Sequence, residues 1–216
     1  MKKNKKNGYD IPEIEKLYKM SNDNIDDFAE CAALAYKNYP LFKYITKDKT
    51  KYKLIKTIIS SSIYSMKKDG VVGFADDNNT NSVAIFLPPN YTGSKVLPFL
   101  LNGGIKIMFI APPSTFARLI LYENHAMKLK KNHTNHNSWY LYNITVKPQF
   151  QNQGKCSKLL KPMCEYFDRI EEDCYLETHN EENVKLYEHF GFELLEVSNI
   201  PKTNVKHYSM IRKFKK

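Results

Sequence analysis

Val146-Lys147-Pro148-Gln149-Phe150-Gln151-Asn152-Gln153-Gly154-Lys155-Cys156-Ser157-Lys158-Leu159-Leu160 reads as a strand that runs into a short polar turn and then opens an amphipathic helix. A helix N-terminus offers unpaired backbone N–H groups and a partial positive charge, and successive amides in a turn make the same kind of anion cradle. Gly154 lets such a backbone approach an anion closely. On these grounds alone the turn can bind a phosphate, a pyrophosphate or nothing. Spacing excludes two familiar alternatives: the stretch contains neither Gly-x-Gly-x-x-Gly nor Gly-x-x-x-x-Gly-Lys-Ser/Thr.

Outward from this turn, Trp139–Val146 is a clear strand, and helix Gly154–Glu171, strand Tyr175–Thr178, helix Glu181–Phe190, strand Phe192–Val197 and a last strand near His207–Ile211 follow. Upstream, alternation over 11–19 suggests a first strand. Phe28, Cys31, Ala32, Ala35 and Tyr36 form one apolar face of a helix from Ser21 to Tyr39, which Pro40 ends. A second helix spans about Lys49 to Lys68, and strands near 71–75 and 82–87 flank the turn Asp76-Asp77-Asn78-Asn79 as a hairpin. Region 90–133 reads as helical, with a helix start at Pro112-Pro113-Ser114. The stretch 132–138 is read as a polar loop.

The chain of 216 residues carries 33 Lys+Arg against 23 Asp+Glu, a formal charge of +10. Residues 1–8 and 211–216 supply +8 of it, which leaves +2 for the other 202. Only residues 118, 169 and 212 are Arg, the side chain that reads guanine edges and clamps phosphates, so solvated Lys-rich tails are expected rather than a specific nucleic-acid site. The longest apolar stretches, such as Val83–Leu87, fall far short of the roughly 20 residues that span a bilayer. The N-terminus lacks the apolar segment of a secretory signal, and a cytoplasmic protein is expected. Cys31, Cys156, Cys164 and Cys174 show no Cys-x-x-Cys spacing and are read as free thiols, with no disulfide framework or zinc site.

The run Val-x-Pro-x-x-Gln-x-x-Gly-x-Cys-Ser at 146–157 resembles the acyl-CoA motif of the GNAT superfamily of N-acyltransferases, with Cys156 in place of its third Gly/Ala. A second block, Asn180 to Phe192, resembles that superfamily's Asn-x-x-x-x-x-Leu-Tyr-x-x-x-Gly-Phe element. Shorter matches at 138–142, 175–178, 86–89 and 39–42 are similar to the branch that includes puromycin N-acetyltransferase-like enzymes. The resemblance implies a mixed α/β fold, a mostly antiparallel sheet of about six or seven strands flanked by helices and splayed between strands 139–146 and 175–178. The expected organisation is a basic tail over 1–10, one acetyltransferase domain over 11–212 with 90–133 on the acceptor side, and a basic tail over 213–216.

The same resemblance implies acetyl-CoA as co-substrate, no metal, and transfer of the acetyl group to a primary amine in a ternary complex. Backbone amides at Gln151, Asn152, Gln153, Gly154, Lys155, Cys156 and Ser157 would hold the pyrophosphate. Main chain at Ile144, Thr145 and Val146 would pair with pantetheine, Asn180 and Asn183 would face the cofactor, and Tyr187 would be the general acid. A phenol with a pKa near 10 can protonate a thiolate whose thiol is near 8.5; a Tyr beside Leu186 can equally pack in the core. Glu177, at a strand end near the gap, can serve as the base or be an ordinary exposed carboxylate. His133 and His136 are read in a solvated loop without carboxylate partners, and a surface position is favoured for His179. Tyr36, Tyr39, Phe42, Tyr44 and Tyr142 are candidates for an acceptor pocket, of which one or two are expected to line it. The expected partner is a small-molecule amine or peptide acceptor, with no membrane, as a monomer or homodimer. A non-catalytic acyl-CoA-binding module of the same fold is the alternative, and a nucleic-acid-associated protein that uses the Lys tails is a further rival.

Overall fold

The structure, a computed structural model, describes residues 13–47, 52–89, 91–134 and 138–215. The expected N-terminal tail at 1–10, His136 and the first residues of the helix expected from Lys49 lie outside them. Seven strands form one sheet: β1 (Tyr18–Lys19), β2 (Val72–Ala75), β3 (Ser82–Leu87), β4 (Ser138–Val146), β5 (Asp173–Thr178), β6 (Glu193–Asn199) and β7 (Lys206–Arg212), in the order β1-β2-β3-β4-β5-β7-β6. Every neighbouring pair is antiparallel except β4 and β5. The strand expected over 11–19 shrinks to two residues, because a turn closed by the Leu17 N–H to Ile14 carbonyl bond, with Lys16 at φ 67°, breaks the extended chain.

Helices cover both faces. On one side lie α1 (Ile25–Ala35), α2 (Pro40–Thr46) and α3 (Tyr52–Met66), followed by α4 (Val96–Leu101), α5 (Ile107–Ile110) and α6 (Pro113–Thr134). Their apolar faces meet Ala75, Val83 and Ile85 through Phe28, Ile55 and Ile59. On the other side, α7 (Lys155–Ile170) and α8 (Glu182–His189) bury Leu159, Phe167 and Val184 against Phe74, Phe86, Trp139, Leu141 and Met210. Side chains alternate across each strand, so one sheet feeds two separate apolar layers. Among the described residues, no helix is long and apolar enough to cross a membrane.

The parallel pair decides where the molecule opens. β4 and β5 pair from Ser138↔Asp173 to Leu141↔Leu176 and then part, although β4 continues to Val146 and β5 to Thr178. The outer part of β4 stays paired with β3, and the register between those strands slips at Tyr142, opposite Ile85 and Phe86. Regular alternation would send Tyr142 and Asn143 to opposite faces; the bulge turns both toward the α1–α3 side, where they line one cavity.

The C-terminal end departs from a solvated tail. Buried Arg212 holds Asp168 with two parallel bonds of 2.7 Å and donates from Nε to the Phe190 carbonyl, while Lys213 reaches Asp173 and the Lys215 amide reaches Asp168. This pairing ties β7 to α7. Asp168→Ala leaves the guanidinium without its carboxylate in an almost dry site, softened by the partial exposure of Asp168. It should lower the urea-unfolding free energy by about 2 kcal/mol, and an unchanged midpoint would remove the pair from the stabilising contacts.

Candidate functional site

Two features meet at the splay: a backbone turn and an aromatic cavity. After β4, a 3-10 turn at Pro148–Phe150 leads to Gln151–Gly154 and then α7. The Gln151 amide donates to the Val146 carbonyl at 3.2 Å and the Gln153 amide to the Gln149 carbonyl at 3.3 Å, so both side chains fold back and fix the turn. Gly154 sits at φ +71°, and a Cβ built on it would meet nothing within 4 Å. The glycine is therefore demanded by backbone conformation rather than by crowding, and the space over it is open. The first bond closing α7 runs from the Lys158 N–H to the Gly154 carbonyl at 3.2 Å, so the amides at 155–157 precede the intrahelical ladder.

Two side chains of this turn are committed elsewhere. Lys155 Nζ is 2.6 Å from Asp76 and 3.1 Å from Asp77, so its charge anchors the β2–β3 turn. Cys156 packs against the core beneath α7, and burial pushes its thiol up to about 12. Beyond Leu141 the edge of β4 that faces β5, at Tyr142–Val146, has no strand beside it among the described residues. Ile144 packs against the α7-side core, and the Thr145 hydroxyl donates to Asn143. Asn180 accepts the Glu182 amide, starting α8, and Asn183 donates to Thr178 Oγ1 at 3.1 Å. Both Asn side chains thus organise the β5–α8 corner.

The cavity encloses about 160 Å³ on the other side of the β4 edge. Tyr36, Tyr39 and Phe42 wall it from the α1–α2 connection, Phe99 from α4, and Phe116 and Tyr122 from α6. Tyr142, Asn143, Glu177 and His179 come from the sheet. Four of the five expected aromatics therefore line it, more than the one or two anticipated, and Tyr44 is the exception. The helical region after Asn90 contributes the far wall.

Glu177 is the chemical centre of this cavity. Its side chain is only 4% exposed, which corrects the reading of an exposed strand-end carboxylate. Oε1 accepts from Tyr140 at 2.6 Å and Tyr122 at 3.1 Å, and Oε2 lies 3.4 Å from the Tyr175 hydroxyl. Burial drives its carboxyl above the usual range, partly offset by those hydroxyls. The same burial and the Glu177 charge hold Tyr122 and Tyr140 well above an ordinary phenol, so they remain donors.

Beside Glu177, His207 Nε2 stands 3.6 Å from Oε2, and His207 Nδ1 is 3.2 Å from His179 Nε2. A His179 Nε2–H donating to His207 Nδ1 leaves the remaining His207 N–H facing the carboxylate. Burial keeps His179 well below its usual pKa and His207 near about 4, so both rings stay neutral. His179 is thus a buried lining residue, not the surface residue expected; the Tyr39 hydroxyl, which accepts its backbone N–H at 2.8 Å, fixes the segment. His133 also departs from expectation: it lies in the last turn of α6, with Nε2 2.8 Å from Glu196.

Tyr187, on α8, is buried and packs at 5.8 Å from the Phe192 ring, while Leu186 beside it is exposed. It does not line the cavity. Cys156 on the turn, Tyr39 and Tyr36 in the cavity lining, and buried Cys174 lie within electrostatic reach of it. Burial first, and these neighbours next, raise its phenol well above the usual value, and its hydroxyl has no hydrogen-bond partner among the described residues. The structure thus brings Glu177 into the cavity and leaves Tyr187 in the α7–α8 core, outside the lining. Sequence reasoning missed Tyr122, Tyr140, Tyr175 and His207, whose only common signal is their meeting in space.

Residues 115–194 match the family model of the acetyltransferase (GNAT) domain, a span that contains both motif blocks. No curated protein matches the chain. Among solved structures, the chain is similar to a histone acetyltransferase HPA2 and related acetyltransferase from Corynebacterium glutamicum, with 14% identity over 93% of this chain and 97% of that one and a TM-score of 0.59. Arylalkylamine N-acetyltransferase 2 from Aedes aegypti shares 16% identity over 92% and 98%, with a TM-score of 0.59. The PaiA N-acetyltransferase from Thermoplasma acidophilum, in complex with coenzyme A, shares 12% over 92% and 98%, with a TM-score of 0.50. At these identities the likeness is one of fold.

Proposed function

We propose that the protein transfers an acetyl group from acetyl-CoA to a primary amine. The observation that carries this reading is the junction itself: a left-handed Gly154 turn with first-turn amides at one end of the splay, and a buried carboxylate in an aromatic cavity beside the unpaired β4 edge. The first element suits a pyrophosphate, the edge suits a chain carrying amide groups, and the cavity suits an amine. One structure of this fold holds coenzyme A, which supports the first assignment.

Acetyl-CoA supplies the activated acyl carbon as a thioester. Amides at 151–157 hold its diphosphate, and the N–H and C=O groups at 144–146 align its arm. Glu177 takes one proton from the bound ammonium, so nitrogen gains a free electron pair. As the N–C bond forms and the C–S bond breaks, Tyr187 donates its proton to the sulfur. The nitrogen sheds its second proton, which restores the phenol, and Glu177 returns the first to solvent. An N–H near Thr145 steadies the charge on the acyl oxygen.

Calorimetric titration with acetyl-CoA, followed by an assay of thiol release on adding amines, tests the reading. Saturable binding and amine-dependent thiol release are expected. Failure to bind at millimolar ligand would sink it, and binding without release for any amine would leave a binding module. Gly154→Val should weaken acetyl-CoA binding about tenfold or more, because a β-branched residue is strained at φ +71° and its side chain enters the open space over the amides.

A further inference from the structure

The cavity carries aromatic rings from two sets of helices. On the α1–α2 side, Tyr36 lies with its ring centroid 4.9 Å from both Tyr39 and Phe42. On the α4–α6 side stand Phe99, Phe116 and Tyr122, the first two with centroids 6.4 Å apart. The enclosed space of about 160 Å³ is close to the ~150 Å³ void that takes up one benzene molecule. Rings packed against rings gain more than their area alone gives, and aromatic faces attract an ammonium group.

The charged groups narrow the choice further. Glu177 and Glu123 line the cavity; among the described residues the one lining cation is Lys95, whose side chain is 61% exposed and faces Asp69. A carboxylate on the acceptor would therefore meet the buried Glu177 side chain and the half-buried Glu123 and, among the described residues, no buried cation in the lining. Glu123 Oε1 accepts the Ser94 amide at 2.9 Å, whereas Glu177 directly follows Leu176, the last β5 residue paired with β4, and so stands at the splay where the acyl group would lie. That leaves Glu177 as the acid placed to receive one ammonium.

We propose that the acceptor is a primary amine carrying one ring on a short alkyl arm, its ring held against these aromatic side chains and its ammonium received by Glu177. The proposal rests on the acetyl-transfer reading of the same site, but its binding half can be measured without transfer. Free CoA is added to saturation, and the protein is titrated with 2-phenylethylamine, n-butylamine, 1,5-diaminopentane or phenylalanine; each is then assayed with acetyl-CoA. Binding of 2-phenylethylamine should exceed that of n-butylamine and the diamine at least about tenfold, and phenylalanine should not bind. kcat/KM should follow the same order.

Leu119, half-buried on α6, lines the cavity. Leu119→Trp should fill the space and lower 2-phenylethylamine affinity about tenfold or more, with acetyl-CoA affinity unchanged. Phe116→Ala, which opens one wall instead, should lower it as well, and the thermal melt of each variant verifies folding. Equal or tighter binding of n-butylamine, or acetylation of the diamine in preference to the ring-bearing amine, would overturn the substrate class while leaving acetyl transfer standing. Selective binding of 2-phenylethylamine without any transfer would support the ring-binding cavity and overturn the acetyl-transfer reading.

Discussion

Glu177→Gln is expected to lower kcat for acetyl transfer by about 10²–10⁴-fold, the usual contribution of a positioned base, with acetyl-CoA affinity unchanged. Glutamine keeps the shape of the side chain and an oxygen that accepts from Tyr140 and Tyr122, so the surrounding network stays formed. It cannot take a proton from an ammonium. The pH dependence gives a second, independent readout. Burial raises the Glu177 carboxyl, so the base form appears only above the ordinary carboxylate range. The kcat profile, which reports groups in the assembled complex, should therefore rise with pH through that raised value, and the limb should vanish in the Gln variant. The neighbouring His179 and His207 are held below their usual pKa, so neither supplies a limb near 6.5. Full activity in Glu177→Gln, or an acid limb that survives it, would assign the base elsewhere.

How much of this was legible in the chain follows from how far apart the determinants lie. β4, the Gly154 turn, α7, β5 and α8 are each set by residues within one window: a strand run, a polar turn, a 3.6-residue apolar period and an Asn180 side chain that accepts the Glu182 N–H as α8 begins. The open wedge was readable through the resemblance carried by those two blocks. The cavity is different. Tyr39 meets Thr178 and His179 across about 140 positions, and Tyr122 meets Glu177 across 55. No local period encodes such a meeting, which is why His179 looked like a surface residue and Glu177 could be read equally as a base or as an exposed carboxylate. The bulge at Tyr142 hid a further pair, because simple alternation assigns Tyr142 and Asn143 to opposite faces. Similarly, the polar composition around His133 suggested a loop, whereas the α6 helix runs through it and brings Glu196 alongside.

Tyr187→Phe should lower kcat by about 10²-fold or more while the KM for acetyl-CoA stays within roughly twofold. The separation of these two constants is what a proton donor predicts, because the phenol acts only when the C–S bond breaks. The substitution is unusually clean. Tyr187 is buried and stacks edge-on with Phe192, a contact the phenyl ring retains, and its hydroxyl gives up no hydrogen bond to any described residue. Loss of the oxygen therefore removes a proton source without leaving a buried group unpaired, and the melting temperature should hardly move. Burial also keeps the phenol protonated well beyond its usual range, so the wild-type kcat should show no basic limb from this group up to about pH 10. Unchanged turnover in the Phe variant would make Tyr187 a packing residue of α8 and pass the proton-donor role to solvent. A fall in both kcat and thermal stability would indicate that the ring, rather than its hydroxyl, had been disturbed.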